Sequence, residues 1–180
     1  ILTADNEDVT VIDMEESPVL KTVYNLKKVE DNHNFFANGI LAHNRCFVAG
    51  TEITLGNNDV KNIENVVVGD EVLTYNQELK ENETGIVGEL KQHEVESVLK
   101  INFFYGNSVT TTKEHPFYVS GKGWVKAGEL IVEDVCKQTD GSTAPITSIE
   151  HIEEKHLVYN LLNVSKNHNF YANGILVHNK

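Results

Sequence analysis

Residues 158–179 read VYNLLNVSKNHNFYANGILVHN, and residues 23–44 read VYNLKKVEDNHNFFANGILAHN. Sixteen of the 22 aligned positions are identical, at an offset of 135 residues. An internal repeat sets the organisation of a chain before any local reading does. In both copies Asn-Gly separates two short apolar runs, FYA and ILV in the second copy. That is a strong local signal for a β-hairpin closed by a two-residue turn. In the second copy such a hairpin carries His178 and Asn179 at the end of its second strand.

The repeat also fixes boundaries. The first copy ends at Asn44, Arg45 follows, and a new segment, CFVAGTEITL, opens at Cys46. The second copy ends at Asn179 and is followed by Lys180. Residues 1–45 are therefore expected to be the tail of a preceding unit plus a one-residue linker. Residues 46–179 make one complete unit, and Lys180 is the first residue of a downstream flank. A start at Ile1 rather than Met suits a piece of a longer polypeptide. Solenoid repeats run about 20–50 residues, so a period of 135 describes whole domains. Taken alone, the repeat fits a tandem array of inert, adhesive β-domains of a surface protein as well as it fits any chemistry.

Strand signals dominate the complete unit. EVLTYN (71–76), VESVLKINFFYG (95–106), SVTTT (108–112) and PFYVS (116–120) are rich in β-branched and aromatic residues. Gly-containing breaks separate them, and no stretch keeps a 3.6-residue apolar period over three turns. The expectation is an all-β domain of short strands. The polar run 78–94 reads as a surface loop, and Trp124 as a core residue. Cys136 reads as structural, because the upstream copy has the apolar Ile1 at the equivalent position.

Composition excludes several classes. Fifteen basic against 27 acidic residues leave a net charge of −12. Nucleic-acid binding needs a basic face to neutralise phosphates, and an anionic membrane surface needs the same. Neither a membrane-spanning run nor a signal peptide is present in the sequence. Localisation stays open, a larger secreted or surface bacterial protein being one setting. Cys46 and Cys136 are too few for a disulfide framework and lie in no C-x-x-C pair. The eight histidines lack H-E-x-x-H spacing, so no metal and no cofactor is expected.

Reactive side chains gather in three separated patches. They are Cys46, the run TTTKEHPFYV with Thr112 and His115 at T-x-x-H spacing, and the terminal His178-Asn179, with His168 ten residues before His178. Each is weak alone. Position strengthens them, because Cys opens the repeated unit and Asn closes it. Together CFVAGTEITL, GDEVLTYN, TKEHPFYV followed by GWVKAGEL, and HNFYANGILVHN resemble the ordered motifs of the Hint (Hedgehog/intein) superfamily. The resemblance covers essentially all of 46–179 and is nearest to bacterial intein-like and pretoxin Hint domains. It implies a flat, horseshoe-shaped all-β fold with pseudo-twofold symmetry, in which both ends of the unit meet at the centre.

The resemblance also implies autocatalytic, single-turnover processing. Cys46 would convert the Arg45–Cys46 amide into a thioester by an N–S acyl shift, an intramolecular attack whose proximity can be worth about 7–11 kcal/mol. His115 matches the family's proton donor for the departing nitrogen, and Thr112 the residue that orients the scissile bond. A twisted scissile peptide would help by weakening its resonance. Asn179 would cyclise to a succinimide and release Lys180, aided by His178 and His168. The substrate is the chain's own flanking polypeptide, and a monomer is expected.

Two departures narrow the outcome. Splicing inteins place Cys, Ser or Thr after the terminal Asn, whereas here Lys180, and upstream Arg45, hold that place. Cleavage at both junctions is then favoured over splicing, with aminolysis of the thioester a minor ligating route. Asn160, in VYNL, stands where inteins frequently carry Asp, as does Asn25 upstream. Asn cannot transfer a proton, which loosens coupling between the two cleavages. No endonuclease-like insert interrupts the unit. His33, His93, His151 and His156 have no assignable partner in the sequence. The rival readings are an inert β-repeat and a Cys-His protease acting on other proteins through Cys46 and His115. The near-copy in residues 9–44 further suggests that the tail could exchange for the terminal hairpin, within a chain or between chains.

Overall fold

A computed structural model describes residues 34–37, 40–43 and 45–179. The expectations for Ile1, Asn25, His33, most of the upstream tail and Lys180 lie outside the described residues. The chain forms two units, 1–44 and 45–180. In the first, β1 (Asn34–Ala37) pairs antiparallel with β2 (Ile40–His43), Asn34 opposite His43 and Ala37 opposite Ile40.

The second unit is all-β. Its strands are β3 (Phe47–Val48), β4 (Glu52–Thr54), β5 (Val60–Asn62), β6 (Glu71–Asn76), β7 (Glu81–Ile86), β8 (Glu89–Val95), β9 (Val98–Phe103), β10 (Ser108–Thr111), β11 (Pro116–Val119), β12 (Gly123–Lys126), β13 (Val135–Lys137), β14 (Thr143–Ile152), β15 (His156–Leu162), β16 (Asn169–Ala172) and β17 (Ile175–His178). Two single-turn 3₁₀ segments, Ile63–Asn65 and Ala127–Glu129, are the helical elements among the described residues. Thirteen strands form one curled antiparallel sheet in the order β5-β4-β16-β17-β11-β13-β14-β9-β10-β3-β15-β8, with β12 paired to β11. The hairpin β6–β7 is separate from it.

The hairpin announced by Asn-Gly is present. Asn169 faces His178 and Ala172 faces Ile175, the register of β1–β2 carried forward 135 residues. Asn173 and Gly174 have φ values of 47° and 77°, both left-handed, as a type I′ turn requires. The asparagines around it also fasten the sheet. Asn173 Oδ1 accepts from Glu52 N at 2.7 Å, and its Nδ2 donates to Ser108 O at 2.6 Å. Asn169, fully buried, accepts from Tyr75 N at 2.7 Å and donates to Tyr75 O at 2.9 Å. Asn167 Nδ2 donates to Thr74 Oγ1 and Glu83 Oε2, and Tyr171 Oη donates to Asn82. These bonds tie β6–β7 to the main sheet. β6 is accordingly buried on both faces, with Leu73 and Tyr75 packing with Tyr171 and Leu176 while Val72 joins the main core.

Strand 71–76 falls where its sequence predicts, but the expected loop 78–94 does not exist as one. Its residues form β7 and β8. Both strands are polar because each lies at an edge with an exposed face, where charged side chains discourage pairing with other chains. The run 95–106 is likewise divided, β8 ending at Val95 and β9 starting at Val98. Trp124 is half-buried rather than central. It packs at the margin of the Leu73–Tyr171 cluster. Cys136 is fully buried in the main core, where burial pushes its thiol up to about 12, as a structural residue should be.

Asn173→Gly keeps the left-handed turn but deletes both side-chain hydrogen bonds. It is expected to lower unfolding stability by about 1–3 kcal/mol, read as a fall in the urea midpoint at unchanged slope.

Candidate active site

The segment joining β10 to β11 brings the ends of the unit together. β10 pairs with β3, Thr111 opposite Phe47, just after Cys46. β11 pairs with β17, Phe117 opposite Val177, just before His178 and Asn179. Thr112 and His115 lie between, in a turn closed by His115 N donating to Thr112 O at 3.1 Å.

Cys46 is 2% exposed, and its main chain is held from both sides. Its N–H, which is the nitrogen of the Arg45–Cys46 amide, donates to Thr112 Oγ1 at 3.0 Å. Its carbonyl accepts from Thr112 N at 2.9 Å and from Thr111 Oγ1 at 2.7 Å. Burial pushes the thiol well above its ordinary range, partly offset by the charge of Lys91. The thiol lies 3.6 Å from His93 Nδ1 and 4.0 Å from Nε2, a partner that the sequence gives no means of assigning. His93 lies 47 residues from Cys46, and strand β8 itself was hidden in a polar run.

His115 is fully buried, its ring against Phe47 at 4.0 Å between centroids and flanked by Phe117 and Phe170. Burial, then the charges of Arg45 and His178, hold its pKa well below the ordinary histidine value, opposed by a hydrogen bond with the main chain of His178. Arg45 is itself half-buried; desolvation lowers its pKa, opposed by the Glu114 carboxylate. His115 thus lies under the charges of residues next to both ends of the unit.

At the C-terminal end, the His178 ring stands edge-on to Trp124, 4.8 Å between centroids at 87°. Asn179 is 1% exposed. Its N–H donates to His168 O at 2.8 Å. With the side-chain amide turned to satisfy both ends, its nitrogen donates to His168 O at 2.9 Å and its oxygen accepts from Val164 N at 2.6 Å. His168 therefore meets Asn179 through its main-chain carbonyl, the side chain being exposed and φ 50°. Asn160 is buried on β15 opposite Lys91 of β8, and its Oδ1 has no hydrogen-bond partner among the described residues. Among these residues no cluster of three or more His, Cys, Asp or Glu side chains could hold a metal.

The chain matches the pretoxin HINT domain model over residues 53–180. Among solved structures it is similar to the bacterial intein-like domain from Clostridium thermocellum, with 33% identity and a TM-score of 0.70 over 74% of this chain and 98% of that one. It also shares its fold with a DnaB intein from Synechocystis sp. PCC 6803, with 22% identity and a TM-score of 0.69 over 76% of this chain and 99% of that one. No curated protein sequence matches.

The buried His115 makes stability pH-dependent. Unfolded, the ring titrates near pH ~6.5; folded, it does so lower. Between the two values the unfolded chain binds a proton that the folded chain does not, so stability rises with pH there. The full contribution is present above pH ~6.5 and is lost on acidification toward the folded pKa. Thermal unfolding from pH 7.5 down to 4.5 is expected to show a steeper acid loss for the unmodified chain than for His115→Gln.

Proposed function

The chain belongs to the pretoxin HINT domain family, and on that premise we propose that residues 46–179 cleave themselves from their flanks at both ends. The observation that carries the reading is the hold on the scissile amide. The nitrogen of the Arg45–Cys46 bond rests on the Thr112 hydroxyl, in a site that also contains the fully buried His115 ring. An inert β-repeat offers no reason to bury an imidazole among aromatic rings, an arrangement that costs stability.

In the first step, Cys46 Sγ bonds to the Arg45 carbonyl carbon and the carbon–nitrogen bond breaks. The proton given up by the thiol ends on the departing nitrogen. His115 delivers it to that nitrogen, since a neutral imidazole can take a proton and return it. Thr112 orients the nitrogen, and the result is a thioester whose acyl side is residues 1–45. At the other end, Asn179 Nδ2 bonds to its own carbonyl carbon, the bond to Lys180 breaks, and the Nδ2 proton passes to the Lys180 nitrogen. The His168 carbonyl and the Val164 N–H fix the plane of the Asn179 amide. His178 stabilises the carbonyl oxygen as charge develops on it.

Lys180 cannot receive the acyl group as a hydroxyl or thiol would, so the thioester passes to water or an added thiol. Aminolysis supplies a minor ligated product. Asn160 provides no proton, and the two cleavages proceed independently. The substrate is the chain's own flanking polypeptide, the unit acts as a monomer, and residues 1–45 represent the end of a preceding unit. The matching register of β1–β2 and β16–β17 supports that division.

Intact mass spectrometry in neutral buffer with dithiothreitol tests the reading. Cys46→Ala is expected to lose cleavage at Arg45–Cys46 alone, and Asn179→Ala cleavage at Asn179–Lys180 alone. Both variants still cutting at both bonds would sink the assignment. An unmodified chain of unchanged mass would favour the inert repeat, and cleavage of a separate protein without self-cleavage would favour a protease.

A further inference from the structure

β8 is the edge strand of the main sheet, with β15 as its neighbour. Lys91 stands opposite Asn160, His93 opposite Val158 and Val95 opposite His156. Residues two apart on a strand, and residues directly opposed across strands, share a face. Lys91, His93, Val95, His156, Val158 and Asn160 therefore form one face. Cys46 packs on it, in a single buried cluster with Val95, Val98 and Val158. The His93 ring nitrogens lie 3.6 and 4.0 Å from Cys46 Sγ.

A thiol in this place cannot act unaided, because the thiolate is the nucleophile and burial opposes its formation. Something must take the proton as the sulfur attacks. Asn160, opposite Lys91, has no capacity to do so. His115 is committed to the nitrogen side of the same bond, packed among Phe47, Phe117 and Phe170. His93 is the proton acceptor in contact with the sulfur, and Lys91 on the same face adds a positive charge that favours the thiolate.

We propose that His93 is a catalytic residue of the N-terminal reaction, the general base that takes the Sγ proton of Cys46 as its sulfur bonds to the Arg45 carbonyl carbon. As the carbon–nitrogen bond breaks, the proton that His93 removed is returned to the Cys46 nitrogen by way of His115. The shift thus consumes no external acid or base. The inference rests on Cys46 being the acyl-shift nucleophile, and it adds a base from a strand outside the three motif patches. His93 has no part in the Asn179 reaction, which uses no thiol.

The test follows release of residues 1–45 from the whole chain by intact mass spectrometry, in dithiothreitol at neutral pH. Cleavage at Asn179–Lys180 serves as an internal control of folding. His93→Gln is expected to slow N-terminal release by about 100-fold, at the lower end of general-base effects, with C-terminal release unchanged. Added imidazole is expected to restore N-terminal release to His93→Ala, an effect that a structural role would not produce. If the unmodified chain releases 1–45 and His93→Gln matches its rate, the inference fails while the nucleophile stands. If His93→Gln loses both cleavages, or imidazole restores nothing to His93→Ala, His93 is structural and the inference is overturned. If the unmodified chain forms no thioester, the nucleophile assignment and the inference fall together.

Discussion

Three hydrogen bonds from two adjacent threonines fix the peptide of Cys46, and much of the architecture serves to put those threonines there. Thr111 ends β10 and Thr112 begins the turn that leads to His115. The turn in turn leads into β11, whose pairing with β17 sets the position of His178. A unit whose first and last residues are 133 positions apart can present both to one short segment only if the sheet curls back on itself. The long strand order, running from β4 and β16 at one side to β3 and β15 at the other, is the form that constraint takes.

Cys46 and His115 both lie out of reach of water. Burial raises the Cys46 thiol and lowers the His115 imidazole, so each favours its neutral form. Both effects come chiefly from desolvation, the cost of keeping a charge away from water. The acidic residues behind the net charge of −12 are not among the causes named for His115, which are burial and the neighbouring Arg45 and His178.

Much of this was legible in the sequence, for identifiable reasons. The terminal hairpin could be read because Asn-Gly fixes a turn and a turn fixes a register, and the structure reproduces both. Strand 71–76 stood out because it is buried on both faces and so carries a continuous β-prone run. Strands β7 and β8 did not, since edge position replaces apolar alternation with Glu, Lys and Gln. With β8 hidden, His93 could not be connected to Cys46. The role of Asn167, Asn169 and Asn173 as fasteners was equally invisible, because a side chain bonding to a distant main chain leaves no periodic trace. His168 was picked out as matching a family histidine that assists the asparagine, and in the structure its main-chain carbonyl accepts from Asn179 N.

The curled sheet has a further property, which concerns what is left behind. Every strand described in the second unit lies between Phe47 and His178, and the ladders described there join strands of that same unit. None of these described ladders runs across either end of the unit. A change confined to the flanks would leave the described hydrogen-bonded framework of the unit as it is.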